Sequence, residues 1–113
     1  MEITVEEPAL IIVINKKFRE GMSAQELYEA TRQSWVLDKK RLVNVKYVLA
    51  SYEGIVREVY EVDDWFDVFF EAINKTRYGF TGKVAPSFIR NKYLHRSTAK
   101  YKSRGNPIRY VNC

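Results

Sequence analysis

Residues 47–62 read YVLASYEGIVREVYEV, and the way this stretch divides decides the fold. Tyr47–Tyr52 is a short apolar and aromatic run of the kind that forms a strand. Glu53-Gly54 follows as a tight turn, because Gly tolerates the positive φ that a two-residue hairpin loop demands. Ile55–Val62 then alternates in period two. That pattern predicts Ile55, Arg57, Val59 and Glu61 on one face of the strand, and Val56, Glu58, Tyr60 and Val62 on the other. The stretch is therefore a β-hairpin.

Upstream of the hairpin, Leu10–Ile14 (LIIVI) is a continuous β-branched and aliphatic run, which predicts a buried strand. Gly21-Met22 breaks the chain, and Ser23-x-x-Glu26 forms a capping box that starts a helix from about Ala24 to Ser34. Leu27, Thr31 and Trp35 recur every four residues along it, with Tyr28 beside the stripe. Asp38-Lys39-Lys40-Arg41 reads as a charged turn.

Downstream, Asp63–Asn74 has two readings. Phe66, Phe69, Phe70 and Ile73 suit a short helix, but the segment also suits a loop. Tyr78–Val84 predicts a strand with bulges at Gly79 and Gly82. Pro86 suits a first helical turn, and Ser87–Tyr93 places Phe88, Ile89 and Tyr93 on one side of a helix. A polar, basic tail runs from His95 to Gly105, Asn106-Pro107 marks a turn, and Ile108–Val111 forms a last strand. The order β-α-β-β-β-α-β predicts an α+β fold: a small, partly closed β-barrel with two to three short helices. With no repeat, low-complexity segment or Pro/Gly-rich linker, residues 1–113 are expected to form one domain with a basic C-terminal segment from about residue 86.

Composition narrows the function classes. A hydrophobic fraction of 46% and a charged fraction of 29% are those of a globular protein rather than a disordered or membrane-embedded one. No apolar run approaches the roughly 20 residues of a membrane span. Glu2, Glu6 and Glu7 make the N-terminus acidic, opposite to a signal peptide. Cys113 is the single cysteine, so no internal disulfide forms and a reducing, cytoplasmic setting is expected. Oligomeric state is not legible.

The net charge of +5 hides a strong asymmetry. Residues 1–71 hold all fourteen acids against nine Lys/Arg, whereas residues 72–113 hold ten Lys/Arg and no acid. Clustered cations suit a polyanion, since phosphates reward them through Coulomb attraction and counterion release. The competing reading is a solvated face whose cations pair with the acidic first part once the chain folds back.

Catalytic constellations are sparse. His95 stands alone in the basic tail with no carboxylate near it in sequence, a weak general base candidate. One His and one terminal Cys do not make a zinc site. No phosphate-binding loop, dinucleotide fingerprint or serine elbow occurs. Asp63, Asp64 and Asp67 beside Trp65 are a candidate Mg²⁺ set, against the simpler reading of a solvated acidic loop. No cofactor or metal is expected. Binding chemistry remains: Trp35 at a helix end and Trp65 just past the hairpin would sandwich a flat base if they bordered one cleft. The alternative places each in the core, favoured for Trp35 by its helical stripe.

LIIVINKKFREGMSAQELYEATRQSW, then KKRL, YVLASYEGIVREVYEV and RYGFTGKVAPSFIRNKYL, resembles the PUA-like superfamily, nearest in pattern to its YTH and EVE branches. The resemblance spans roughly residues 10–95 and is one of element order. It implies a domain that accepts a modified base in an aromatic cage, with Trp35 as the cage Trp after the first helix and Trp65 as a second wall. It further places Asp38 at the base-reading position; Lys39 or Lys40 there would instead favour a phosphate. Asp38-Lys39-Lys40 departs from the YTH pattern, which argues against N6-methyladenine. ASCH-type relatives keep a similar barrel and act on RNA.

The expected function is therefore a non-catalytic nucleic-acid-binding module, with DNA or RNA as partner. Trp35 and Trp65 would stack, Asp38 would read the base, and Lys39, Lys40, Arg41, Arg90, Lys92, Arg96, Lys100, Lys102 and Arg104 would hold the backbone. The alternatives are a nucleic-acid-processing enzyme using the aspartates or His95, and a protein-interaction domain in which acidic and basic parts pair between subunits.

Overall fold

The computed structural model describes residues 3–15, 17–32, 35–70, 75–101 and 107–113, the side chains of residues 69, 70 and 75 excepted. Five strands, β1 (Ala9–Val13), β2 (Tyr47–Tyr52), β3 (Ile55–Phe70), β4 (Lys75–Val84) and β5 (Ile108–Val111), form one mixed sheet in the order β4-β3-β2-β1-β5. Helices α1 (Ala24–Arg32), α2 (Lys39–Leu42) and α3 (Ser87–Tyr93) cover its two faces. The Cα radius of gyration of 13.3 Å matches the ~13 Å of a chain this long folded as one compact unit. No helix among the described residues is long and apolar enough to cross a membrane.

The fold class is α+β, but the expected barrel does not form. The sheet stays open, with β4 and β5 at its edges. β1 pairs parallel with β2 through the crossover that carries α1 and α2, and antiparallel with β5. This central position explains the unbroken apolar run in β1. Ala9 and Ile11 are buried under α3, with Val56, Val59, Ile89 and Tyr93. Leu10 and Ile12 are buried on the other face with Leu42, Val48, Tyr60 and Phe80, beneath α1 and α2. A strand covered on both sides has no polar face to alternate with.

α1 begins as its capping box requires: the Glu26 N–H donates to Ser23 Oγ and the Ser23 N–H to Glu26 Oε1, each at 3.1 Å. Glu53 (φ 50°) and Gly54 (φ 77°) both take the left-handed conformation of a hairpin turn. Three expectations are corrected. First, Asp63–Phe70 is neither helix nor loop but the continuation of β3, paired with β4; residues 71–74 lie outside the described set. Second, β3 does not alternate cleanly. Its register with β2 shifts near Ala50/Ser51, which puts Val56 and Val59 on the same face, opposite to Tyr60. A bulge inserts one unpaired residue and so inverts the parity of everything after it. A second shift, between Val62 and Asp64, brings Val62 and Trp65 to the Tyr60 face. Third, Phe88 is 71% exposed, so α3 buries Ile89 and Tyr93 without it.

The second bulge lies on β3, across from Gly82 rather than at Gly79. A Cβ on Gly82 would come inside 3.0 Å of the Glu61 carbonyl oxygen, so glycine is required there by close approach. The Gly82 N–H donates to the Tyr28 hydroxyl at 3.0 Å, which ties α1 to the β4 edge.

A candidate site at the groove beside helix α2

Asp38–Arg41, expected as a turn, opens a four-residue helix instead. The Asp38 carboxylate accepts the Lys40 N–H at 3.0 Å, and the Asp38 N–H donates to the Tyr110 hydroxyl at 2.7 Å. Asp38 is thus an N-cap. Arg41 lies 4.7 Å over the Tyr110 ring and 3.9 Å from Asp38. Leu42 is buried and anchors the helix, while Lys39, Lys40, Arg41 and, beyond the helix, Lys46 are exposed. Lys39, Lys40 and Lys46 form no ion pair among the described residues.

Between α2 and the second bulge of β3 lies a groove of about 410 Å³. Leu42, Val43, Val45 and Val62 supply its aliphatic wall, Trp65 and Tyr78 its aromatic one, and Lys39, Asp63, Asp64 and Asp67 its charges. Trp65 packs edge-on against Phe80, ring centroids 5.5 Å apart, which fixes the indole. Its Nε1–H is buried and has no partner among the described residues. Asp64 Oδ1 accepts the Trp65 N–H at 2.9 Å, whereas the Asp63 and Asp67 carboxylates make no hydrogen bond or ion pair with a described residue. The bulge is what turns these aspartates and Trp65 toward α2.

Trp35 does not line the groove. Its backbone pairs with Tyr78 as an isolated bridge, extending the sheet past β4. Its indole N–H donates to the Thr31 carbonyl at 2.8 Å, and Lys17 Nζ sits 4.5 Å from the ring centroid. Burial, assisted by the Arg77 charge, pushes the Lys17 ammonium below its ordinary pKa. Trp35 thus ties α1 to the sheet and orders Tyr78. Sequence reasoning found Trp65, isolated among acids, but missed Tyr78, Leu42, Val45 and Val62. The signal for Tyr78 was its two-residue spacing from Phe80.

The C-terminal cations lie elsewhere. Arg90 donates to both oxygens of Glu58, at 2.7 and 3.2 Å, and Lys92 pairs with Glu7 at 2.6 Å and Glu6 at 2.9 Å. Lys100 donates to Thr4 Oγ1 at 2.9 Å. Arg96 lines a second, polar depression of about 440 Å³ with Thr4, Glu6, Asn91 and Lys92. All belong to the α3 side of the sheet, opposite α2 and the two Trp residues. Lys102 and Arg104 lie outside the described residues.

Around Glu7, burial alone would raise the carboxyl pKa. Hydrogen bonds from Lys92 and from the Tyr93 hydroxyl, with the Lys92 charge, outweigh it and hold the group below its ordinary value. Tyr93 is pushed up by burial and by the same bond. Among the described residues, cations of the basic last part therefore pair with acids of the first part within one chain, whereas exposed Lys39 and Lys40 of α2 form no ion pair. His95 leaves α3 with a positive φ of 64°, its N–H donating to the Val56 carbonyl at 2.8 Å and its side chain exposed. Among the described residues no three of His, Cys, Asp and Glu gather as a metal set, the three groove aspartates included.

No family model, curated protein or solved structure matches the chain, and nothing in these comparisons identifies a PUA-like, YTH or EVE domain.

Proposed function

We propose that the chain binds single-stranded nucleic acid through α2 and the groove beside it. One observation carries this reading: Lys39 lines a groove walled by Trp65 and Tyr78, and exposed Lys40 and Arg41 follow it on α2. Cations on a surface hold phosphates without reading sequence, and an adjacent aromatic wall takes an unpaired base, each stacked base being worth about 1–3 kcal/mol. The acids inside the groove repel phosphate, so the backbone stays on α2 while the base enters. A base in a duplex has its Watson–Crick edge paired and its faces stacked, which favours single strands. Arg90 and Lys92, satisfied by Glu58, Glu6 and Glu7, act in stability rather than in grip.

The test is fluorescence anisotropy with short labelled RNA and DNA single strands, as salt rises from about 50 to about 200 mM. Affinity is expected to fall steeply. Lys39→Ala with Lys40→Ala should flatten the plot of log affinity against log salt by about 0.7 per lost cation. Binding that is undetectable, or unchanged by salt, overturns the reading.

A further inference from the structure

Resting on the nucleic-acid reading, the groove's chemistry specifies which base enters it. We propose that it selects guanine. The charged hydrogen-bonding groups around the Trp65–Tyr78 wall are carboxylate acceptors and one ammonium donor; the Tyr78 hydroxyl serves either way, and the Trp65 Nε1–H is buried. The carboxylates of Asp63 and Asp67 are acceptor-only groups with no partner among the described residues, and Lys39 is a donor on the facing α2 side. Asp64 is committed in part to the Trp65 N–H.

The four bases offer this set different edges. Guanine presents two adjacent donors, N1–H and the 2-amino group, spaced to meet the two oxygens of one carboxylate in paired, charge-assisted bonds. Beside them its O6 is an acceptor, which suits a lysine ammonium. Adenine and cytosine each present one amino group next to a bare ring nitrogen, so the second carboxylate oxygen faces a lone pair. Uracil and thymine present one N–H between two carbonyls, and a carboxylate approaching that N–H is repelled on both sides. The order follows: guanine first, adenine and cytosine together, uracil and thymine last.

The experiment uses the full chain and short oligouridine strands carrying one central G, A, C or inosine, so that G-rich structures do not form. The single-G strand is expected to bind between about 5-fold and about 150-fold more tightly than the all-U strand, the range of one good bidentate base contact. Inosine, which lacks the 2-amino group, should fall well below guanine. Asp63→Asn combined with Asp67→Asn should abolish the preference for guanine over inosine while binding to the all-U strand persists or improves. Both positions are exposed, and an unchanged circular dichroism spectrum and melting temperature confirm the fold. Lys39→Met should weaken every strand through the lost phosphate contact, and the guanine and inosine strands further and together, because both carry O6.

Equal binding of all strands, or a guanine preference that survives the double aspartate variant, overturns the inference and leaves the nucleic-acid reading standing. Absence of salt-dependent binding to every strand overturns both. So does an arginine-rich peptide that binds where no oligonucleotide does, since an acidic aromatic groove then serves a cation.

Discussion

Gly82→Ala is the substitution for which the geometry gives the sharpest stability prediction. The new methyl would sit inside 3.0 Å of the Glu61 carbonyl oxygen, 3.2 Å from the Glu61 carbonyl carbon and 3.4 Å from Val62 Cα. All three are backbone atoms of the partner strand, so no side-chain rotation relieves the clash. β3 and β4 must part by roughly 1 Å, and overpacking of that size costs about 1–3 kcal/mol. The separation also weakens ladder bonds beside the Val62/Asp64 bulge and the Gly82–Tyr28 bond, each worth about 0.5–1.5 kcal/mol. A loss of about 2–4 kcal/mol follows, or a melting temperature lower by roughly 10 °C for a chain of this size. Urea titration followed by circular dichroism measures it. Gly54→Ala is the control: nothing lies within 4 Å of its Cβ, and only its φ of 77° is penalised, at about 1–2 kcal/mol. A Gly82→Ala protein within 0.5 kcal/mol of the parent, or more stable than Gly54→Ala, refutes the close-approach reasoning.

Three further outcomes are expected. Because the folded pKa of Glu7 is depressed, its contribution is full above the ordinary carboxyl value of 4.5 and is lost as pH falls through the folded value. Glu7→Gln should therefore cost about 1–2 kcal/mol at neutral pH, with the gap to the parent closing in acid; parallel stability curves down to low pH would contradict this. Glu53→Asn should stabilise the hairpin by about 0.5–1 kcal/mol, since Asn-Gly suits two successive positive φ angles better than Glu-Gly, and thermal melts decide it. Arg90→Met strands Glu58, whose side chain is only 12% exposed, and should lower stability by about 1–3 kcal/mol while nucleic-acid affinity changes little. A binding loss at unchanged stability would reverse the assignment of Arg90.

What the sequence made legible was local chemistry. Ser23 with Glu26 announced α1, Glu53-Gly54 announced the hairpin, and the LIIVI run announced a strand buried on both faces. What it hid depended on partners distant in the chain. The register of β3 shifts twice, and each shift reverses which side chains share a face, so Trp65 and Val62 meet although period two separates them. Nothing within 55–70 marks those shifts; the nearest sign was Gly82, a missing side chain on the opposite strand. α2 was hidden for another reason: four residues carry too little periodicity to stand out, and Asp38 reads equally as a turn residue or a cap. Charge asymmetry was plain in the sequence, but it did not show that Arg90 and Lys92 meet acids from the other end of the chain while Lys39 and Lys40 meet none.

β1 is closed on one side by β5, so the first strand waits for the last before its second edge is covered. Until then Ala9–Val13, apolar on both faces, offers an unpaired row of backbone groups to any other strand. Contacts of such long separation make folding slow relative to helical proteins of equal length. During synthesis, the nascent chain carries this exposed edge until Ile108–Val111 has left the ribosome. The kinetic hazard of the fold therefore sits at β1, whose residues Ala9–Ile12 the finished molecule buries on both faces.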